Sequence, residues 1–311
     1  MKKFSIIILL AAICAFFTLP ALAQSENAGG SPAMAFSAVN PDPVLMGMGG
    51  AGLATANSPA WASFGNVSSL AFSESVLSLS GGYRRWAPGK DNCPEGGVSL
   101  RLGKALWLTV GGGFQNGEGV IEYSADGNKI DESTPSSIRA NFGAAYAISD
   151  KLSIGAGVHY LHSSVASNAG YNTASFDLNA FMRIAGVNVS AGARNIGLPV
   201  KDKNNQKYMI PGEFFAAASY PLALGGDSKF NFAADAAAYL SSGFAFSTGA
   251  EYSFKNMLFA RVGGRISNAA LPSLMSAGVG FKFKGLSLDA AYVALPSSLG
   301  GSFCAALGYS F

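Results

Sequence analysis

Residues 137–160, SIRANFGAAYAISDKLSIGAGVHY, contain two runs in which every second residue is apolar or aromatic. In the first run Ile138 and Phe142 fall on one face, while Arg139 and Asn141 fall on the other. Such alternation is typical of a strand, and two runs joined by a short turn predict an antiparallel hairpin. Each run has about the 9–11 residues that a tilted strand needs to cross a bilayer. The stretch therefore predicts a membrane-spanning hairpin whose apolar face meets lipid and whose other face lines an interior.

The same alternation continues from residue 74 to the end of the chain, and short connections alternate with longer ones. Outer-membrane barrels have short periplasmic turns and longer external loops, so we expect an all-β fold: a transmembrane antiparallel β-barrel of 14 strands over residues 74–311. The predicted strands are 75–83, 97–103, 105–114, 137–148, 152–162, 173–184, 187–196, 213–220, 229–239, 243–254, 257–266, 273–283, 285–294 and 302–311. The long connections are predicted at 84–96, 115–136, 163–172, 197–212 and 295–301, and 221–228 is long for a periplasmic turn.

The composition fits this class of fold. Apolar residues make up 49% of the chain, yet beyond residue 23 no apolar run approaches the roughly 18 residues of a spanning helix. The 21 basic and 18 acidic residues are nearly balanced, and nothing in that balance indicates a nucleic-acid partner.

The first 23 residues resemble a secretory signal. Lys2 and Lys3 precede an apolar stretch at 6–17, and Ala-Leu-Ala at 21–23 has the small-x-small form of a cleavage site. We expect a signal peptide over residues 1–23 that is cleaved before Gln24, and export to the outer membrane of a Gram-negative bacterium.

Charged residues within the predicted strands fall on the polar face, and we expect them to point into the lumen. A basic side chain facing lipid at the membrane midplane would cost about 2–4 kcal/mol. Two interpretations stay open: a structural ion-pair network that braces the barrel and its plug, and a substrate or selectivity path lined by arginine. The residues are Arg101, Arg139, Asp177, Arg183, Arg194, Asp235, Glu251, Arg261, Arg265 and Asp289.

Residues 24–73 lack alternation and are rich in Gly, Ala, Ser and Pro. Fourteen strands enclose more room than eight, whose interior side chains fill the space. We therefore predict that residues 24–73 form an N-terminal plug, or hatch, in which small residues allow close backbone packing. The plug residues singled out are Gly47, Gly49, Gly50, Gly52 and Asn66.

The stretch 43–54, PVLMGMGGAGLA, followed by FGN at 64–66, resembles the amino-terminal hatch of FadL-type outer-membrane barrels. Val67 stands where that family has proline. GARNIG at 192–197, GAEY at 249–252 and GLSLDAAY at 285–292 are similar to the PorV/PorQ-like branch of Bacteroidetes. The resemblance implies a plugged barrel of fourteen strands and, for some members, a part in type IX protein secretion.

Two classes of function remain. The first is a non-enzymatic component or docking partner in protein secretion, whose external loops contact a protein partner or secreted cargo. The second is a FadL-like channel for the uptake of small hydrophobic compounds, in which plug movement opens a path. Outer-membrane lipid is a partner in either case.

The last strand ends Tyr309-Ser-Phe311, and this terminal aromatic pattern resembles the signal read by the barrel-assembly machinery. Cys93 and Cys304 form a candidate disulfide, because the first external loop lies near the top of the last strand in a closed barrel. His159 and His162 have no acidic neighbours in sequence, so no metal, cofactor or catalytic site is predicted.

Overall fold

A computed structural model describes residues 32–311 apart from 88–89, 125, 167–168, 202–204 and 270. The predicted signal peptide lies outside the described residues. Fourteen strands form one closed antiparallel barrel, in which each strand pairs with the next along the chain and β1 pairs with β18. Two further strand pairs, β4–β5 and β10–β11, lie in loops. The strands are β1 (Leu77–Trp86), β2 (Asp91–Leu102), β3 (Leu106–Asn116), β4 (Val120–Tyr123), β5 (Lys129–Ser133), β6 (Ser136–Ser149), β7 (Leu152–Ala166), β8 (Ala169–Ile184), β9 (Val187–Gly197), β10 (Val200–Lys201), β11 (Lys207–Tyr208), β12 (Glu213–Gly225), β13 (Ser228–Tyr239), β14 (Phe244–Phe254), β15 (Leu258–Ser267), β16 (Leu274–Phe283), β17 (Leu286–Ala294) and β18 (Gly301–Ser310).

The predicted fold class is confirmed, and the period-two pattern accounts for it. Large apolar side chains at alternate positions point outward, such as Leu178 at 66% exposed and Met275 at 72%. Their neighbours on the inner face are buried polar or small residues, such as Asp177 and Ser276. An apolar outer band is the surface that a lipid bilayer requires. Among the described residues, no helix has the length and apolar character needed to cross a membrane.

The two ends of the barrel differ in their connections. At one end, which we call the turn rim, two or three residues join the strands, as at 103–105, 150–151 and 185–186. At the other end, the loop rim, the longest connections are 117–135 and 198–212, and they carry the small β4–β5 and β10–β11 hairpins. Both ends of the barrel sequence, Leu77 and Ser310, lie at the turn rim.

Several predicted connections are wrong because the strands extend further than the apolar alternation does. Residues 84–96 are mostly strand: β1 and β2 pair as far as Trp86 and Asp91. Proline and charged residues hide this part of β2, and pairing with β3 lapses between Asn92 and Glu95, on either side of Pro94. Residues 163–166 likewise belong to β7 and residues 169–172 to β8, and 221–228 contracts to a turn at 226–227.

Residues 33–76 lie inside the barrel and are called the plug below. Its helical turns are Ala35–Ala38, Pro43–Gly47, Pro59–Phe64 and Val67–Phe72, of which Pro43–Gly47 is α-helical. The plug begins at the loop rim, where the Ala33 amide donates to the Met209 carbonyl at 2.9 Å. It ends at the turn rim, where the Val76 amide donates to the Phe311 carbonyl at 2.8 Å. The plug therefore runs through the lumen from one rim to the other.

Candidate functional site: the plugged lumen

The inner wall holds the plug by hydrogen bonds to its backbone. One carboxylate oxygen of Asp235 accepts from the amides of Gly52 and Leu53, both at 2.9 Å. Hydroxyl, amide and guanidinium side chains from strands around the barrel make single hydrogen bonds to the plug backbone. They are Ser276 to the Gly49 amide, Asn179 to the Ser68 amide, Ser153 to the Ser68 carbonyl, Ser219 to the Ala54 carbonyl, Asn141 to the Ser63 carbonyl and Arg139 to the Val39 carbonyl, at 2.7–3.1 Å.

Asn66 joins two parts of the plug to the wall. Its amide nitrogen donates to the Leu53 carbonyl at 2.6 Å and to Ser190 Oγ at 2.8 Å. Its amide oxygen accepts from the Ser68 hydroxyl at 2.6 Å and caps the turn that follows. A buried amide with both ends bonded fixes the geometry of its surroundings, because leaving either end unpaired costs free energy. Asn66 therefore acts as a structural clamp.

Glycines on the inner wall let the plug backbone lie directly against the strands. A Cβ added at Gly263 would lie 2.1 Å from the Met48 carbonyl carbon, and one at Gly97 would lie 2.1 Å from the Ala60 oxygen. The plug glycines complement this groove: Gly49 has φ +74°, and a Cβ there would lie 2.3 Å from the Gly264 nitrogen. Gly47 is also close to the wall, since a Cβ added there would lie 3.1 Å from the Cα of Gly278.

Gly50 and Gly52 are needed chiefly for backbone conformation. They have φ +82° and +123°, a region that other residues rarely adopt. The turn that they form presents the amides of Gly52 and Leu53 to Asp235. Of the plug glycines predicted from the sequence, Gly47 and Gly49 allow close approach to the wall, whereas Gly50 and Gly52 provide a positive φ.

The predicted charged residues all occupy inward positions of their strands, but they do not form one network. Arg139 pairs with Glu95, which also accepts from Arg84 Nε at 3.2 Å. Arg194 Nε donates to Glu213 at 2.8 Å.

A third group is centred on Arg261. It contacts Glu251 at 2.6 Å and Asp289 at 2.7 Å, so one cation lies between two acids. With Arg139–Glu95–Arg84 and Arg194–Glu213, arginines of the described residues form three separate ion-pair groups in the lumen. All three lie at the boundary between wall and plug, since Arg139 and Arg194 also bond plug carbonyls and Glu251 accepts from Asn57.

The remaining predicted charges have other contacts. Arg101 donates to the Gly103 carbonyl and lies over the Trp107 ring, and Arg183 lies 4.4 Å from the centroid of the Phe72 ring. Arg265 donates to the Pro272 carbonyl at 3.1 Å.

Asp177 lies 3.0 Å from His159 and accepts from the Asn195 amide at 2.7 Å. The register of β8 and β9 shifts between Phe176 and Leu178, and the backbone of Asn195 has φ +52°. The Asp177 carboxylate accepts the Asn195 backbone N–H at this shift. Asp177 therefore bonds within the wall, whereas Asp235 bonds the plug.

Sequence reasoning missed four members of these groups: Arg84, Glu95, His159 and Glu213. Arg84 and Glu95 fall in the stretch predicted as an external loop, so their inward orientation was hidden. His159 and Glu213 lie at inward positions of correctly predicted strands, and the same parity rule that placed Arg139 would have placed them.

The candidate disulfide between Cys93 and Cys304 is absent, and both are buried free thiols. Each cysteine pairs across the sheet with Arg84, from opposite sides of β1. One whole strand therefore separates them, which places their Cα atoms about 9–10 Å apart, beyond the reach of a disulfide.

Tyr309 and Phe311 lie on the outer side of the turn rim, with ring centroids 4.5 Å apart. Both are exposed, at 36% and 64%. The position is accessible from outside the barrel, and recognition by the assembly machinery stays a prediction.

In the part of the chain that the structure describes, the plug separates a small cavity near the loop rim from a larger one at the turn rim. The cavity near the loop rim holds about 50 Å³ and is lined mainly by apolar side chains, including Leu45, Trp86, Phe215 and Ala237. The cavity at the turn rim holds about 750 Å³ and is called the vestibule below. Between them, buried apolar side chains of plug and wall pack together, with Val44 and Leu45 in one cluster with Phe215. The described part of the chain thus shows a closed lumen.

Asp42 is a buried acid in the plug, 2% exposed, next to the vestibule. It accepts from the Val44 amide at 2.9 Å and caps the helix Pro43–Gly47. Burial raises the pKa of this carboxyl to about 7, against the opposing effects of the Val44 amide and the Ser58 hydroxyl. The plug side of the vestibule therefore contains a titratable group.

No family model matches this sequence, and no curated protein matches it. Solved structures do match. The toluene transporter TbuX of Ralstonia pickettii is 14% identical, with TM-score 0.63 over 86% of this chain and 98% of that one. The monoaromatic hydrocarbon channel CymD is 15% identical, with TM-score 0.64 over 88% and 98%. A Pseudomonas aeruginosa FadL homologue is 11% identical, with TM-score 0.57 over 88% and 99%.

At these identities the likeness shows the fold: a closed 14-stranded antiparallel barrel of the kind found in FadL-type hydrocarbon transporters. The part of the predicted resemblance that concerns FadL-type barrels is supported at this level. The narrower PorV/PorQ-like assignment stays a prediction.

Proposed function

We propose that this protein is a FadL-like channel of a Gram-negative outer membrane that admits small hydrophobic compounds. The observation that carries the proposal is the likeness, over 86–88% of the chain, to barrels whose names state toluene or monoaromatic hydrocarbons as cargo. This likeness favours the channel hypothesis over the secretion hypothesis. The apolar outer band supports placement in a membrane.

The apolar cavity behind the loop rim is the proposed entry site. Its lining of Leu45, Trp86, Phe215 and Ala237 suits a hydrocarbon. At about 50 Å³ it is much smaller than the roughly 300–1,000 Å³ of typical ligand pockets, so a ligand must displace part of the plug. The proposed channel is therefore gated by the plug.

Uptake of radiolabelled toluene by a Gram-negative host tests the proposal. Cells that produce the protein should accumulate toluene several-fold faster than cells that lack it. Ala237→Leu should reduce the rate toward that of the empty host, because the added carbons fill the entry cavity. Ala260→Leu is the matched control, since Ala260 is exposed on the outer side of β15 and the same change there should leave uptake unchanged.

Toluene uptake equal to that of the empty host, with correctly folded protein in the membrane, would reject the channel. Equal effects of Ala237→Leu and Ala260→Leu would reject the proposed entry site.

The second candidate is a docking partner in protein secretion. The β4–β5 hairpin favours it, because Tyr123 and Ile130 are 62% and 65% exposed beyond the barrel wall. Purification in mild detergent should then recover a protein partner in fixed stoichiometry, and Ile130→Ser should reduce that recovery. Recovery of the barrel alone, together with toluene uptake, would contradict this candidate.

A further inference from the structure

The vestibule is much larger than the cavity near the loop rim, and the proposed hydrocarbon function does not use its chemistry. At about 750 Å³ it lies within the size range of ligand pockets. It lies between the plug and the strand ends of β8, β9, β12–β18 and β1, on the side of the turn rim. A solute can therefore reach it from the compartment that faces the turn rim.

The charges that line the vestibule leave an excess of free cations. Of its acids, Glu251 and Asp289 are both bound to Arg261, at 2.6 and 2.7 Å. Four other basic residues line it, and none of them has a carboxylate within ion-pair distance among the described residues. The other two acids of the lining are Glu74 at the rim and Asp42, which is buried in the plug. The four basic residues are Arg183, Lys229, Lys282 and Lys284.

Arg183, Lys229 and Lys282 come from well-separated strands and lie on the inner side of the wall, whereas the Lys284 ammonium lies 5.4 Å from the centroid of the Phe283 ring. Lys229 and Lys282 occupy inward positions near the ends of β13 and β16. Lys229 Nζ donates to Asn256 at 3.2 Å, and Arg183 lies 4.4 Å from the Phe72 ring centroid. Strands on different sides of the cavity thus direct positive charge toward one space.

The uncharged part of the lining supplies hydrogen-bond donors. Serine and asparagine side chains recur on the walls, including Asn188, Asn231, Ser253 and Ser287. Hydroxyl and amide groups donate to carboxylate oxygens, and charge-assisted bonds from Lys and Arg are the strongest of this kind. These charged and hydrogen-bonding groups favour an anion over a hydrocarbon.

We propose that the vestibule binds a small organic anion with two or three carboxylates. This inference goes beyond the proposed uptake function and does not depend on it, because it concerns a different cavity with the opposite chemistry. Lys229 and Lys282 are the principal binding residues. Binding should weaken as salt is added, since the cations lie at an open rim where ions screen them.

Citrate is the probe for the test. Purified protein in uncharged detergent is mixed at low salt with pyranine, a dye with three sulfonates, and citrate displaces the dye while fluorescence anisotropy is recorded. The double variant Lys229→Gln/Lys282→Gln should raise the Kd for citrate by about tenfold or more. The matched control is Lys104→Gln/Lys151→Gln, which removes the same charge at the same rim but outside the vestibule lining and should change the Kd by less than about twofold.

Heat-modifiable migration on gels verifies that each variant remains a folded barrel. Absence of citrate binding to the wild-type protein, or an unchanged Kd in Lys229→Gln/Lys282→Gln, would overturn the proposal. An equal loss in the two double variants would also overturn it, because only the overall charge of the rim would then matter. Toluene uptake is measured separately, so failure here leaves the uptake proposal standing.

Discussion

At the scale of single residues, Asp42 shows how the plug uses a buried polar group. The carboxylate caps a short helix, yet it lies away from water, and burial raises its pKa to about 7 from an ordinary 3.8. The folded protein therefore holds the Asp42 proton more tightly than the unfolded chain does. The stability that this provides is complete below about pH 4 and is lost as the pH rises through 7.

Asp42→Asn should remove this pH dependence, because asparagine keeps a capping oxygen but does not titrate. The wild-type barrel should lose its compact gel migration at a lower temperature at pH 8 than at pH 5. The difference between the two pH values should be smaller in Asp42→Asn. Identical pH responses of the wild type and the variant would show that the carboxyl is already ionised in the folded protein.

At the scale of elements, the alternation of residues 137–160 predicts β6, the turn and most of β7. The prediction of these strands succeeds because lipid outside and a polar lumen inside impose a period of two on every strand. The prediction fails where strands rise above the lipid, as in the first half of β2, because no apolar face is required there. The partner of Arg139 was missed for this reason, since Glu95 lies in that half.

The fit between wall strands and plug was also beyond prediction. An inward glycine looks the same in sequence whether it faces empty space or a backbone. Only the folded chain shows that Gly249 and Gly263, which pair with each other, both face Met48. Contacts between segments some 200 residues apart leave no local pattern.

Gly263→Ala should loosen the plug, because its Cβ would lie 2.1 Å from the Met48 carbonyl carbon and 2.5 Å from the Gly49 amide nitrogen. Overpacking of this kind typically costs about 1–3 kcal/mol. The expected result is a lower thermal midpoint and faster cleavage of the plug by an added protease. Gly81→Ala is the control, since a Cβ there meets no atom within 4 Å. A midpoint lowered equally by both changes would assign the effect to the strands themselves.

At the scale of the whole molecule, the plug closes the lumen, and wall side chains on many strands bond to it. A rigid-body exit would break most of those bonds together, so partial displacement near the small apolar cavity requires fewer losses. The three ion-pair groups likewise lie between wall and plug, which favours the bracing interpretation of the inward charges over an open arginine-lined path.

Deleting residues 44–72 should raise single-channel conductance in planar bilayers, because the hydrogen-bonded and apolar filling of the lumen is removed. Deleting residues 118–134, which include β4 and β5, should leave conductance low, because these two strands pair with each other and not with a barrel strand. A wild-type conductance already as high as that of the plug deletion would refute closure of the lumen.

The path of the plug also constrains how the molecule can be made. The segment begins at one rim, at Ala33, and joins β1 at the opposite rim, so it passes through a ring whose circumference is completed by the β1–β18 pairing. Drawing that segment lengthwise through a finished cylinder would require stripping its bonds one after another. No such passage is required if the sheet closes around the plug while β1 and β18 are still apart. We therefore expect the β1–β18 pairing to form last during biogenesis.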